Sequence, residues 1–153
     1  MFILKRAVLV LLAAGSGACG GSSDPAAPTS TELQVAGSYQ VSPTLGQNGC
    51  GSVTVQPGPA QVVHTAGAST LQLSHVGQTY SGRVERNGSF TMDPLVITSG
   101  QGSTDTVGIT GRFSTGGLEA DVTVDAAHAG APACRYLVRW QATKQGSPNV
   151  IPG

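Results

Sequence analysis

Charge is scarce in this chain. Eight Lys and Arg and eight Asp and Glu are spread over 153 residues without a basic run, which removes the electrostatic footprint that nucleic-acid binding requires. No stretch holds a 3.6-residue apolar period, so the chain is not built from helices. No Gly-x-Ser-x-Gly elbow stands with a base and an acid. Ser99-Gly100-Gln101-Gly102-Ser103 is glycine-rich, but no helix follows it to cradle a phosphate. His64, His75 and His128 have no ligand spacing relative to the cysteines, which argues against a zinc site. Each is read as a structural or surface histidine, with His75 and His128 beside turns. Asp105, Glu119, Asp121 and Asp125 are expected to alternate with inward apolar residues and to face water, so they do not converge as a catalytic carboxylate pair. The chain is therefore expected to be no enzyme, with no catalytic residue, cofactor or metal.

What the sequence does carry begins at its amino terminus. Lys5 and Arg6 are followed by the apolar run Ala7 to Ala14 and by small residues from Gly15 to Ala18, the three parts of a secretory signal. The run is too short for a bilayer core, which needs roughly 20 apolar residues. Ser16-Gly17-Ala18-Cys19 resembles the lipobox of bacterial lipoproteins, with Ser16 where that family prefers Leu. The resemblance implies cleavage after Ala18, lipid on Cys19 and anchoring to a membrane. The alternative is plain secretion with the same cleavage. Gly20, which is not Asp, implies by the same resemblance the outer membrane, facing the periplasm or the cell surface.

Removal of residues 1–18 leaves six basic against eight acidic residues. Gly, Ser, Thr and Val dominate the remainder, which favours strands and turns. Residues 19–34 read as a lipidated cysteine and a flexible Pro- and Ser-rich tether, 35–144 as one β-domain and 145–153 as a loose tail. An exported chain permits disulfides. Cys50 and Cys134 are expected to pair, the alternative being buried free thiols.

Apolar residues alternate with polar ones in short runs bounded by glycine turns, the pattern of antiparallel half-buried strands. Eight strands are expected, near 36–43, 60–65, 69–75, 78–86, 89–98, 105–113, 118–126 and 134–143. Parity fixes several registers. Phe113 opposite Leu118 places Gly111, Ile109 and Val107 opposite Ala120, Val122 and Val124. Val84 must meet Phe90, which demands a three-residue turn, Arg86-Asn87-Gly88, with Gly88 left-handed in a G1 bulge. Leu71 and Leu73 meet Gly82 and Tyr80 across Val76-Gly77. On the last strand Tyr136, Val138 and Trp140 point inward, Arg135 and Arg139 outward.

Consecutive antiparallel strands make a meander. With an even strand number the first and last are neighbours in a closed barrel, which brings Cys50 and Cys134 to one end. The expected fold is thus all-β, a single-domain up-and-down barrel of about eight strands, with a two-sheet sandwich as the alternative. Gly37-x-Tyr39, Tyr80-x-Gly82-x-Val84, Gly88-x-Phe90 and Gly111-x-Phe113 make residues 35–144 similar to calycin-type barrels and to small lipoproteins built as eight-stranded meanders. Lipocalins carry Gly-x-Trp where this chain has Tyr39, so the resemblance implies the barrel and not ligand binding.

Gly82 and Gly111 leave mid-strand gaps. Tyr80, Phe113 and Trp140 are the rings expected to fill them, or else to line a small apolar pocket. Filled, the barrel is a structural or protein-interaction module in the periplasm, with the membrane and an unidentified protein as its partners. Hollow, it is a carrier of a small apolar ligand. A third reading is an inhibitor of an extracytoplasmic protease, with residues 20–34 as its arm.

Overall fold

The computed structural model describes residues 32–153. Cys19, the signal segment and residues 19–31 of the expected tether lie outside the described residues. Nine strands succeed one another: β1 (Gly37–Asn48), β2 (Gly58–His64), β3 (Thr70–His75), β4 (Gln78–Val84), β5 (Ser89–Met92), β6 (Leu95–Ser99), β7 (Ser103–Ser114), β8 (Gly117–Ala127) and β9 (Cys134–Lys144). All neighbours are antiparallel. β1 lies between β2 and β9, and β5 pairs with both β4 and β7. That last pairing closes the sheet on itself. Because β5 and β6 are successive halves of one wall strand, the fold is a closed eight-stranded up-and-down barrel, and the sandwich alternative is set aside.

The hairpins form in the registers that parity demands. Phe113 faces Leu118, Gly111 faces Ala120, Ile109 faces Val122 and Val107 faces Val124. Val84 faces Phe90, and the turn between them holds Gly88 at φ +86° with its N–H donated to the Glu85 carbonyl. Leu71 and Leu73 face Gly82 and Tyr80. One expected strand is divided. Between Thr91 and Leu95 the fifth strand advances by one residue more than β7 does between Thr110 and Val107, a bulge at Asp93 and Pro94. Proline has no N–H for a ladder. The bulge also flips parity, so Phe90 and Met92 are buried before it and Leu95 and Ile97 pack on the core after it.

The mid-strand glycines are filled, but by other side chains than expected. A Cβ on Gly82 would stand 2.5 Å from Met92 Sδ, and one on Gly111 would stand 2.7 Å from Phe90 Cζ and 2.8 Å from Ala120 Cβ. Met92 and Phe90 face these glycines directly across the ladder, whereas Tyr80 and Phe113 are two residues away on the glycines' own strands.

The expected loose tail is corrected at its far half. Gln34 and Val150 exchange both backbone hydrogen bonds at 3.0 Å, and Asn149 N–H donates to the Thr115 carbonyl at 3.0 Å. Leu33, Val35 and Asn149 are buried. The chain segments before β1 and after β9 therefore pair across the barrel end where β1 begins, and close it; the tether reading fails for Leu33 and Gln34. At the opposite end Cys50 and Cys134 form a disulfide with a Cα–Cα distance of 5.2 Å.

Two glycines of β7 separate space from propensity. Gly111→Ala should cost about 1–3 kcal/mol through overpacking, because its Cβ would also run into the Glu119 carbonyl oxygen. Gly108→Ala, with nothing within 4 Å, should be neutral or slightly stabilising. Urea unfolding of both variants measures this, and equal costs would refute the packing argument.

Candidate functional site

The three rings singled out as candidate lining do not converge on one pocket. Phe113 sits near the latched end with its centroid 4.8 Å from Phe90 and 6.0 Å from Tyr39. Trp140 lies toward the disulfide end, edge-on to His75 at 4.7 Å. Tyr80 is on the far wall, on β4. All three are buried, at 2%, 6% and 7% exposure for Phe113, Trp140 and Tyr80, so they serve as filling rather than as the walls of an open mouth.

Two polar residues that sequence reasoning placed at the surface are inside. His75 shares the parity of Leu71 and Leu73 on β3 and is buried; its Nδ1 lies 3.0 Å from the Pro59 carbonyl oxygen and its ring abuts Trp140. Asp105 shares the parity of Val107 and Ile109 on β7 and lies opposite Ile97 and Ala126. Its Oδ1 is buried and has no hydrogen-bond partner among the described residues. Alternation along each strand carries both inward, and the same alternation was legible in the sequence. Glu119, Asp121 and Asp125 do face outward. Asp125 and Asp121 stand opposite Arg135 and Arg139 in the ladder, with ion-pair distances of 2.5 and 3.6 Å. The Arg135 guanidinium hydrogen-bonds the Asp125 carboxylate and lowers its pKa. Being exposed, such pairs stabilise little. His64 is half-buried at the end of β2, with Nε2 2.9 Å from the Ala68 carbonyl oxygen and Nδ1 without a partner among the described residues, and His128 is exposed.

Asp105, Tyr136 and Tyr80 share the inward parity of the apolar residues on β7, β9 and β4. Burial raises the pKa of Tyr136, and the Asp105 carboxylate raises it further; Tyr80 is raised by burial and then by Tyr136. Both phenols therefore stay neutral and able to donate. Among the described residues no three His, Cys, Asp or Glu side chains gather as metal ligands.

The latched end has its own network. The Tyr39 hydroxyl lies 2.6 Å from the Val35 carbonyl oxygen and 2.8 Å from Asn149 Oδ1, and Lys144 Nζ approaches it at 3.3 Å. Asn149 Nδ2 donates to the Ser114 and Gly117 carbonyls at 2.8 and 3.1 Å. Lys144 donates to the Ala36 carbonyl and stands 4.6 Å from the Tyr39 ring centroid, a cation–π contact. Every polar group here binds another part of the same chain, so the network is a fastening rather than a binding site. An open groove crosses the outer wall past Arg112, Glu119, Asp121 and Arg139, where charges of both signs are interspersed.

No protein-family model, curated protein or solved structure matches this chain.

The latch predicts a pH signature. Burial pushes Tyr39 from 10.0 up to about 12, so between these values the folded chain keeps a proton that the unfolded chain has lost. The contribution of Tyr39 is intact below pH 10 and is lost as pH rises toward 12. Tyr39→Phe should cost about 1–3 kcal/mol at neutral pH by leaving buried acceptors unpaired, and the gap to the unaltered chain should narrow across that alkaline range. Chemical denaturation at a series of pH values tests it, and a constant gap would refute it.

Proposed function

We propose that this chain is a lipoprotein anchored through Cys19 to the outer membrane, and that its barrel is a non-enzymatic protein-interaction module on the periplasmic or cell-surface side. The observation that carries the interaction reading is the filled interior. Tyr39, Phe90, Phe113 and Trp140 are each at most 6% exposed, and the glycine gaps are occupied by Met92 and Phe90. A barrel without internal space works through its walls and rims. The carrier reading asks for a ligand-sized apolar cavity with placed polar groups, and the buried rings speak against it. The protease-inhibitor reading asks for an ordered arm in residues 20–34 that reaches a protease, and the last two of these, Leu33 and Gln34, are instead taken up in fastening the barrel end.

Two measurements on the full chain test the proposal. Intact mass of protein extracted from membranes should show acyl mass on Cys19, and Cys19→Ala should move the protein to the soluble fraction. Trp140→Ala should cost about 3–5 kcal/mol in denaturant unfolding as a large-to-small core change, with no saturable binding of fluorescent fatty-acid analogues to the unaltered chain. Unmodified soluble protein would sink the anchor. One analogue bound per barrel, together with a small stability loss in the variant, would replace the interaction module by the carrier.

A further inference from the structure

The barrel is closed over only part of its height. Near the latched end β4 pairs with β5 through Gly82, Arg83 and Val84, and β5 pairs with β7. The last bond between β4 and the strand leaving β5 is Asp93 N–H to the Ser81 carbonyl at 2.8 Å. Beyond it, toward the disulfide end, among the described residues β6 pairs with β7 alone and Gln78–Tyr80 of β4 pair with β3 alone. Here the wall has no ladder between β4 and β6, a slot bordered by two strand edges that runs to the rim.

Edges of this kind are normally guarded by charge, proline or cover. Here β6 reads Leu-Val-Ile-Thr-Ser, uncharged and rich in β-branched residues. Val96 on its outer face is 59% exposed. At the rim beside β4, Val76 is 72% exposed and holds φ +46°, a conformation that β-branched residues rarely adopt. Behind β6 lies the buried Oδ1 of Asp105, which has no hydrogen-bond partner among the described residues.

We infer that the slot between β4 and β6 receives an extended peptide strand of a partner protein, paired along β6 and carrying a Lys or Arg that reaches Asp105. The inference rests on the interaction-module reading and specifies its partner. An unpaired strand edge presents its N–H and C=O groups at the spacing of another extended backbone, which makes the occupant a strand. Two edges of one wall that face each other can both be paired by a single strand inserted between them. The segment 20–31 of this chain contains Asp24 and no Lys or Arg, so it does not supply the cation. The length of β6 sets an occupant of about five residues, alternately facing Leu95 and Ile97 inside and solvent outside.

The probe is a fluorescent, end-blocked peptide, Thr-Val-Lys-Val-Thr, titrated into the full chain in detergent. It is compared with the peptide carrying Glu for Lys and with one N-methylated at alternate backbone nitrogens. Saturable binding of the Lys peptide is expected, lost on N-methylation and weaker by roughly tenfold or more with Glu, the scale of one charge-assisted hydrogen bond. Amide exchange should slow in Leu95–Ser99 on binding. Asp105→Asn should erase the preference for Lys over Glu, and Val96→Lys should weaken both peptides without changing thermal stability. Because the peptide comparison is made on the unaltered chain, it decides even where a variant fails to fold. Equal binding of the N-methylated peptide, protection confined to other strands, or no binding of the Lys peptide would each overturn the slot. Protein that still carries acyl mass on Cys19 and binds no fatty-acid analogue would in that case keep the anchored-module reading standing.

Discussion

Closure of this barrel depends on Phe90 lying over Gly111. β5 has four residues, and its ladder with β7 joins the two ends of the strand order β5-β4-β3-β2-β1-β9-β8-β7-β6. Phe90 and Gly111 are paired in that contact, and the ring occupies the volume that any side chain at position 111 would need. The adjacent Thr91-Thr110 and Ser89-Arg112 pairs contribute ladder bonds, but the apolar seal is the ring on the glycine. Hydrophobic burial at one point thus offsets the entropy of bringing together strands that are far apart along the sheet.

The seal is confined because the strand breaks just after Met92. A strand that continued from β5 without interruption would keep pairing with β4, and the wall would be complete. Asp93-Pro94 interrupts it, because proline withholds a ladder donor and the extra residue changes which side chains face inward. Leu95 and Ile97 are turned toward the core by that change, so the bulge both opens the wall and keeps the strand below it apolar on its inner face. An inner wall of the same parity as β5 would instead present Thr98 and Val96.

Much of this architecture was legible in the sequence, for a physical reason. Where one face of a hairpin is apolar, a one-residue slip moves every side chain to the wrong side, so alternation alone specified the β3-β4, β4-β5 and β7-β8 registers and the left-handed Gly88. The misses came from applying that rule unevenly. His75 and Asp105 obey the same parity as their apolar neighbours, yet a nearby turn and a charge were allowed to override it. The break at Asp93-Pro94 had a signal in Pro94. The fastening of Asn149 had none, since its partners, Ser114, Gly117 and Tyr39, are distant along the chain and an asparagine among Ser, Pro and Gly reads as loop. The identity of the filling residues was also beyond one-dimensional reading, because it depends on which cross-strand partner reaches over each glycine.

The two ends of the barrel are built on opposite principles. At one end the segments flanking the barrel are drawn in, with Tyr39, Lys144 and Asn149 binding the backbone carbonyls of Val35, Ala36 and Ser114. The other end is held by a covalent link between β9 and the segment after β1, on the side of the barrel away from the β4-β6 opening in strand order. A crosslink there stiffens the intact wall and leaves the open one free to separate. The described residues begin at Glu32 on the fastened end, opposite the rim at which β4 and β6 are unpaired. The same closure that packs Phe90 and Met92 over the glycine gaps therefore leaves, among the described residues, the edges of β4 and β6 unpaired at the end away from the fastening.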